Sequence, residues 1–323
     1  MLKVAVVGVG GISRSHIAAW KSFNDAQLVA LCDIRPEQME KYPEQRHYTD
    51  LDEMLEKEEL DILDICLPTY LHAEYAMLAM EKVSYVFVEK PVALTAAEAD
   101  AMMEKASKTG CQVQIGQVIR FWDEYVKLRQ IVQSGVYGKV INANFRRISP
   151  RPTWGWEDWL LKTELSGGAA QDLHIHDMDF VLHLFGMPKL LKTVKNVIGE
   201  PNSYIHSLLC YDNCVVTVEG TWDLPGSHPF EATFRVVFEK AVVENAGGKL
   251  MCYTDAGAEQ IVIEKAEVKG DGFEGGNVSD LGGYYNELVY FTDCAKQGVK
   301  VTQATLAEGA ASLKYVLEEI SNA

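Results

Sequence analysis

The sequence has no apolar run that approaches the roughly 20 residues of a membrane-spanning helix. Its N-terminus, Met1-Leu2-Lys3-Val4, also lacks the basic segment and the long apolar core of a signal peptide. Internal repeats and low-complexity segments are absent as well. We therefore expect a globular chain that is neither inserted into a membrane nor exported, and whose location is cytoplasmic.

Paired or clustered cysteines are also missing. The seven cysteines are scattered between Cys32 and Cys294, and no two of them form a CxxC motif. An odd number without such a motif is typical of reduced thiols, not of a disulfide framework or a zinc site.

Basic residues are scarce compared with acidic ones. The chain has 30 Lys and Arg against 46 Asp and Glu, a net charge of -16. This charge argues against nucleic acid or an anionic membrane as a partner. It does not exclude a cofactor that carries phosphate, because the N-terminus of a helix can bind phosphate locally.

The first third of the chain alternates between strands and helices. A length of 323 residues predicts two domains, and a hydrophobic content of 48% is ample for both cores. Five apolar segments predict strands, namely Lys3–Val7, Gln27–Cys32, Ile62–Leu67, Tyr85–Val88 and Gln112–Ile115. Predicted helices lie between them at Ile12–Phe23, around Asp52–Glu59, and at Leu71–Glu81 and Ala96–Thr109. Strands that are apolar almost throughout indicate a parallel sheet covered on both faces, so residues 1–120 are predicted to form a doubly wound α/β domain of the Rossmann type.

Residues 121–323 follow a different pattern and predict an α+β domain. Helices are expected at Asp123–Ser134, from about Ala170 to Gly186, and at Tyr285–Ala295 and Leu306–Ile320. Strands are expected at Lys139–Ile148, Ile205–Tyr211, Val215–Thr221, Phe230–Glu239, Ala241–Glu244, Lys249–Tyr253 and Gln260–Ile263, and a Gly-rich loop at Asp271–Gly276. Short strands separated by turns indicate a large, mostly antiparallel open sheet. A sheet rich in Val, Phe and Ile with few helices to cover it predicts an exposed apolar face, and hence a homodimer or homotetramer formed through about Leu190–Ile263.

A glycine-rich turn follows the first strand. In Gly8-x-Gly10-x-x-Ser13 the first glycine allows a tight turn, the second lets the backbone approach a pyrophosphate, and the third position must be small. The alternative is a strand–helix turn that binds nothing. Asp33, at the end of the second strand, favours a dinucleotide, and its charge favours NAD over NADP. Arg35 could accommodate the 2′-phosphate of NADP instead, and Asp33 could simply cap the helix before Pro36.

Lys90 ends a strand in the motif Glu89-Lys90-Pro91. A proline here stops the strand, so the lysine lies at the carboxyl edge of the sheet, where α/β proteins bind ligands. The alternative interpretation is a surface ion pair between Glu89 and Lys90.

Asp172 and His176 are four residues apart, so they would share one face of a helix. A carboxylate in this position can orient an imidazole and raise its basicity. Two alternatives stay open, a solvated helix face and a metal site built on His174 and His176. Trp154, Trp156 and Trp159, just before this helix, could pack against sugar rings or belong to the core or an interface.

Together these residues resemble the Gfo/Idh/MocA family, the relatives of glucose–fructose oxidoreductase and inositol dehydrogenase. The matching positions cover nearly the whole chain and comprise Gly8-Val9-Gly10-Gly11-Ile12 with His16, Asp33, Leu67-Pro68-Thr69 with His72, Glu89-Lys90-Pro91, Gly116 with Arg120-Phe121, Gly135–Gly138, and Gly167–Asp172 with His176-Asp177. Two positions depart from the family pattern. Ser13 replaces a smaller residue, and His174 stands where glycine is common.

The resemblance implies an NAD(P)-dependent oxidoreductase that acts on a hydroxyl group or ketone of a sugar, inositol or polyol. The implied cofactor contacts are Gly8, Gly10, Gly11, Ile12, Asp33, Arg35, Leu67, Pro68, His72, Glu89 and Lys90. The implied substrate contacts are Lys90, Arg120, Trp154, Trp159, Asp172 and His176, with no metal. Lys90, Asp172 and His176 are the implied catalytic residues, and the Lys90–Pro91 bond is expected to be cis.

Two other functions stay open at this point. Some relatives use NAD transiently to cleave glycosidic bonds by oxidation and elimination, and a non-catalytic NAD or sugar sensor is also conceivable. Since the side chains that select a substrate lie on loops, one sequence does not name the sugar or polyol.

Overall fold

The structure is a computed structural model that describes residues 1–195, 200–246, 248–263 and 282–323. The Gly-rich loop predicted at Asp271–Gly276 lies outside the described residues. The chain divides into two compact units. The first comprises Met1–Val118, Trp154–Trp159 and the described part of Glu267–Leu313, and the second comprises Ile119–Thr153, the described part of Leu160–Ala266, and Lys314–Ala323. These units differ from a single division at residue 120, because two later segments pack with the first unit.

Fourteen strands are present in the described part of the chain. They are β1 (Leu2–Val7), β2 (Ala26–Cys32), β3 (Arg46–Tyr48), β4 (Ile62–Ile65), β5 (Tyr85–Glu89), β6 (Gln112–Gly116), β7 (Val140–Pro150), β8 (Leu190–Lys195), β9 (Tyr204–Cys210), β10 (Val215–Leu224), β11 (Glu231–Phe238), β12 (Val242–Ala246), β13 (Lys249–Thr254) and β14 (Gly257–Gln260).

The α-helices of the described residues are α1 (Ser13–Ser22), α2 (Leu51–Lys57), α3 (His72–Ala79), α4 (Ala96–Thr109), α5 (Asp123–Ser134), α6 (Thr163–Ser166), α7 (Ile175–Phe185), α8 (Gly282–Gln297) and α9 (Leu306–Asn322). A π-helix over Ala170–His174 leads directly into α7. Among these described helices, none is both long enough and apolar enough to cross a membrane.

The first unit contains a parallel sheet in the order β3-β2-β1-β4-β5-β6. This is the order of a doubly wound dinucleotide-binding domain, so the predicted fold class is confirmed. The central strands are buried along nearly their whole length, as their apolar sequences require. One core includes Val4, Trp20 and Phe87 together with Leu288 and Phe291 of α8.

The second unit contains an eight-stranded sheet in the order β14-β13-β12-β11-β7-β10-β9-β8. Among its described strands, β7 and β10 run parallel and the other neighbours run antiparallel. The mostly antiparallel sheet is therefore confirmed. The predicted strand Gln260–Ile263 is wrong, because Thr254 pairs with Gly257 across a tight hairpin and the strand ends at Gln260.

The aromatic side chains at the centre of this sheet pack against helices of the same unit. Phe145 of β7 and Phe234 of β11 pack with Tyr125 of α5 and Phe180 of α7. On the other face, Arg146 forms ion pairs with Glu219 and Glu231, both at 3.1 Å. The same face also exposes apolar side chains such as Val194 and Val215, so the expected oligomer through about Leu190–Ile263 stays a prediction.

Candidate active site

The glycine-rich turn between β1 and α1 has the shape that a phosphate-bearing ligand requires. Gly8 has φ +87°, and a Cβ atom there would lie 2.7 Å from the carbonyl oxygen of Cys66, so a side chain is excluded. Around Gly10 and Gly11, by contrast, the space that a Cβ would enter is open. The buried Ser13 hydroxyl donates to the Gly10 carbonyl at 3.0 Å, so serine serves as the small third residue. The turn therefore fits a dinucleotide, with its open glycines in front of the N-terminus of α1.

Asp33 lies at the carboxyl end of β2, beside this turn. Its carboxylate accepts hydrogen bonds from the backbone of Val9 at 2.7 Å and of Arg35 at 2.8 Å. The guanidinium of Arg35 also contacts Asp33 and stacks 4.8 Å from the ring centre of Trp156. The alternative of a helix cap is not supported, since Arg35 occupies the N-cap position before Pro36 and no side chain caps that turn. Contacts of Asp33 and Arg35 with a ribose or phosphate stay predictions.

His72 connects the loops that follow two neighbouring strands. Its ring nitrogens lie 2.7 Å from the carbonyl oxygen of Pro91 and 2.8 Å from that of Leu67. Burial lowers the pKa of the His72 imidazole. The carboxyl ends of β4 and β5 are thus joined by one side chain, which holds Leu67-Pro68 and the Lys90-Pro91 segment together. The Lys90–Pro91 peptide bond is cis, as the resemblance implies.

Glu89 is buried, with 4% of its surface exposed, so the alternative of a surface ion pair does not hold. One of its oxygens accepts the backbone N–H of Lys90 at 3.0 Å, and the other lies 2.9 Å from Nε2 of His16. Nδ1 of His16 lies 2.8 Å from Asp64, which also accepts the indole N–H of Trp20 at 2.7 Å. Sequence reasoning gave His16 no role, because nothing local links it to Glu89, 73 residues away.

This cluster has an unusual protonation. Burial alone would lower the pKa of His16, but the charge of Asp64 and its hydrogen bond raise it well above 6.5. Glu287 of α8 lies beside His16 and Glu89, and burial together with the charge of Glu89 raises its pKa well above 4.5. The surroundings therefore favour the protonated form of both His16 and Glu287.

In the second unit, Asp172 lies in the π-helix and His176 in the first turn of α7. His176 is buried, with 9% of its surface exposed, whereas Asp172 is half-buried. The predicted continuous helix is therefore present, but its first five residues form i→i+5 hydrogen bonds, a variant that is frequent at functional sites. The pairing of Asp172 with His176 and their catalytic roles stay predictions.

His174 is completely buried between these two residues. Its Nε2 lies 3.3 Å from both carboxylate oxygens of Glu319, a residue of α9. Its Cβ also lies 2.6 Å from the position that a Cβ of Gly220 would occupy, so β10 needs glycine there. In the described part of the chain, the side-chain groups close enough to hold a metal ion are His16-Asp64-Cys66 and His16-Glu89-Glu287, and neither includes His174 or His176.

The other acids of α7 form buried ion pairs. Arg147 pairs with Asp177 at 2.7 Å, and Arg120 pairs with Asp179 through two contacts of 2.6 and 2.7 Å. The alternative of a solvated helix face is therefore wrong. Arg120 is itself buried, so its guanidinium fixes α7, and its predicted contact with a substrate stays a prediction.

The three tryptophans belong to the segment Trp154–Trp159 of the first unit. Trp154 is 67% exposed, Trp156 contacts Arg35 and Trp159 is half-buried. These positions place Trp154 outside the core and leave the predicted contacts of Trp154 and Trp159 with a sugar untested.

Comparison with known proteins gives the same picture for both units. Residues 2–117 match the family model of an oxidoreductase family with an NAD-binding Rossmann fold, and residues 125–244 match that of the GFO/IDH/MocA C-terminal domain. The D-glucoside 3-dehydrogenase of Escherichia coli is 31% identical over 192 residues, which cover 58% of this chain and 55% of that enzyme. The myo-inositol 2-dehydrogenase of Thermotoga maritima is 30% identical over 57% of this chain and 55% of that enzyme. The chain thus spans about half the length of these curated relatives.

The fold of the whole chain also has a counterpart among solved structures. A levoglucosan dehydrogenase, solved in complex with NADH and levoglucosan, superimposes with a TM-score of 0.84 over 99% of this chain and 97% of that one, at 17% identity. The chain belongs to the Gfo/Idh/MocA family of oxidoreductases.

Proposed function

We propose that this protein is an NAD-dependent dehydrogenase that transfers a hydride between the nicotinamide and a hydroxyl group or ketone of a sugar, inositol or polyol. The observation that carries the proposal is the turn with open space at Gly10 and Gly11, set beside Asp33 and the edge that bears Lys90. Relatives named as glucoside and inositol dehydrogenases support the substrate class.

Removal of a hydride from a carbinol carbon requires that the hydroxyl proton leave as well. NAD, when bound, accepts the hydride, so the protein has to handle only the proton and the developing negative charge. In this proposal His176 takes the proton, because histidine is the side chain whose ordinary pKa lies nearest to neutral pH. Asp172 orients His176, and Lys90 stabilises the charge on the substrate oxygen through its ammonium group.

A panel of polyols, inositols and aldoses, assayed for NADH formation, tests the proposal. Accumulation of NADH with an oxidised product supports it. Cleavage of a glycoside without net NADH would show the oxidation–elimination reaction instead. Tight binding of NAD and sugar without turnover of any compound in the panel would favour a sensor.

Once a substrate is found, single variants test the assigned roles. We expect His176→Ala to lower kcat about 10²–10⁴-fold, the usual loss for a general base, and Lys90→Ala to lower it similarly. Asp172→Asn is expected to lower it less, because the base remains. NAD affinity, measured by calorimetry, is expected to change little in His176→Ala.

His183→Ala, a matched change on the same helix, serves as the control and is expected to keep near-normal turnover. Full activity of His176→Ala would remove His176 from the mechanism and make Lys90 the candidate base.

A further inference from the structure

A continuous series of hydrogen bonds, buried except for its last and partly buried step, ends at the backbone of Lys90. It starts at the indole of Trp20, which donates to Asp64, and passes from Asp64 to Nδ1 of His16. From Nε2 of His16 it reaches one oxygen of Glu89, whose second oxygen accepts the N–H of Lys90. Four steps of 2.7 to 3.0 Å thus connect α1 and β4 with the end of β5.

His16 lies at the centre of this series of hydrogen bonds, between the carboxyl groups of Asp64 and Glu89. When both carboxyl groups are ionised they can only accept hydrogen bonds, so both nitrogens of His16 then carry a proton. His16 and Asp64 are completely buried, and the single positive charge of an imidazolium at His16 lies between the two carboxylates and attracts both. Such charge-assisted bonds are about twice as strong as neutral ones, which makes the chain rigid. Among the described residues, the Cys66 thiol and the carboxyl group of Glu287 also face His16.

The neighbouring strand β6 also limits the space around the carboxylate of Glu89. A Cβ atom on Gly116 of β6 would lie between 3.0 and 3.2 Å from the carboxylate atoms of Glu89. Glycine at position 116 therefore leaves room for the carboxylate where it lies, and a methyl group would displace it by a few tenths of an ångström. The space beside Gly116 therefore fits the Glu89 carboxylate in its observed location.

We propose that His16 and Glu89 are positioning residues that fix Lys90 for its role at the edge of the sheet. A lysine side chain has four flexible methylene groups, so a defined location of its ammonium begins with a defined backbone. A misplacement of about 1 Å can cost about 10²-fold in rate, which gives the arrangement its functional value. The use of Lys90 in turnover rests on the proposed function, whereas its placement by His16 and Glu89 does not.

The test measures Lys90 directly, without a substrate. The full-length protein is labelled with acetic anhydride over a range of pH, and acetylation of Lys90 is quantified by mass spectrometry to give its titration midpoint and intrinsic rate. Two variants disturb the chain of hydrogen bonds in different ways. His16→Gln removes the charged bridge, and Gly116→Ala displaces the Glu89 carboxylate while every polar group is kept.

In both variants we expect the Lys90 midpoint to shift by about one pH unit, or its intrinsic labelling rate to change about tenfold. Tyr85→Phe is the matched control, because it removes a buried hydroxyl at the other end of β5, where Tyr85 bonds Val299 at 3.0 Å. This control is expected to leave the labelling of Lys90 unchanged. If His16→Gln fails to fold, Gly116→Ala alone decides.

Unchanged labelling in the folded variants would overturn the inference. Measurements of kcat then distinguish the positioning of Lys90 from its proposed role in turnover. A shifted Lys90 with a loss of about 10–10² in kcat for Gly116→Ala supports both. A shifted Lys90 with full turnover, together with an active Lys90→Ala variant, would keep the positioning and remove Lys90 from catalysis.

Discussion

Asp33 holds its negative charge in a fixed place at the end of β2, because the backbone N–H groups of Val9 and Arg35 both donate to it. A 2′-phosphate beside this carboxylate would meet like charge. We therefore expect the unmodified protein to bind NAD more tightly than NADP, and Asp33→Ala to tighten NADP binding about tenfold, which corresponds to roughly 1.4 kcal/mol.

Calorimetric titration of both nucleotides measures this difference. Asp52→Ala, which removes an exposed acid from α2, is the control and is expected to leave the preference unchanged. Equal or tighter binding of NADP by the unmodified protein would give Arg35 the decisive role.

Glu287 links the buried cluster to the stability of the fold. Burial raises its pKa above 4.5, so above that pH the folded protein keeps a proton that the unfolded chain releases. The free energy of unfolding must then fall as pH rises from 4.5 towards the folded pKa, by at most about 1.4 kcal/mol per pH unit for this one proton. His16, whose pKa is raised above 6.5, adds a loss of the same sign at higher pH.

Glu287→Gln imitates the neutral acid and cannot ionise. We measure the free energy of unfolding of both proteins in urea at pH 5, 7 and 9. We expect the value for Glu287→Gln to increase relative to that of the unmodified protein as pH rises. Glu56→Gln, an exposed acid in α2, should show no such trend. A constant difference between Glu287→Gln and the unmodified protein at all three pH values would contradict a buried neutral acid.

The sequence predicts single residues well where their role is local. The requirement for glycine at position 8 and the strand-end positions of Asp33 and Lys90 follow from short motifs. The bridge from His16 to Glu89 and the pair of Arg120 with Asp179 do not, since 73 and 59 residues separate the partners. Charged residues in these pairs look like surface residues until the fold brings their partners together.

The sequence predicts a helix or strand most accurately where the residues at its two ends mark the boundaries clearly. Helix α4 was predicted to the residue because Thr95 and Glu98 form a capping box and Gly110 ends the helix with φ +77°. The short edge strand β3 was missed, because its three residues are polar and partly exposed. The π-helix could not be predicted, since the contacts of His174 with Glu319 and β10 are tertiary.

The contact between the π-helix and β10 gives a further prediction. A methyl group on Gly220 would meet the Cβ of His174 at 2.6 Å and its Cα at 3.0 Å. We expect Gly220→Ala to lower the free energy of unfolding by about 1–3 kcal/mol, as overpacking of a well-packed core does. Urea unfolding measures the loss.

Gly226→Ala is the matched control in the turn after β10, where no atom lies within 4 Å of the added carbon. We expect a change of less than about 0.5 kcal/mol there. Equal stability of the two variants would mean that the π-helix moves away from β10 at no cost.

For the whole molecule, the homodimer or homotetramer through about residues 190–263 stays a prediction. The exposed face of the sheet carries both the ion pairs of Arg146 with Glu219 and Glu231 and apolar side chains such as Val194. Arg146→Glu would place three acids together there, so we expect it to dissociate the oligomer by repulsion.

Light scattering at micromolar concentration, before and after this change, tests the expectation. Lys108→Glu alters the charge equally on exposed α4 and should have no effect. A monomer in the unmodified protein would refute the prediction.

The core of the first unit sets a constraint on the time course of folding during synthesis. Val4, Trp20 and Phe87 share one apolar cluster with Leu288 and Phe291, which the ribosome adds much later. At 5–20 residues per second, about 10–40 s pass between the completion of β5 and the arrival of Phe291. During that interval strands β1, β4 and β5 have been synthesised, but helix α8, which packs against them, has not. The first unit is therefore among the last parts of the protein to complete its packing.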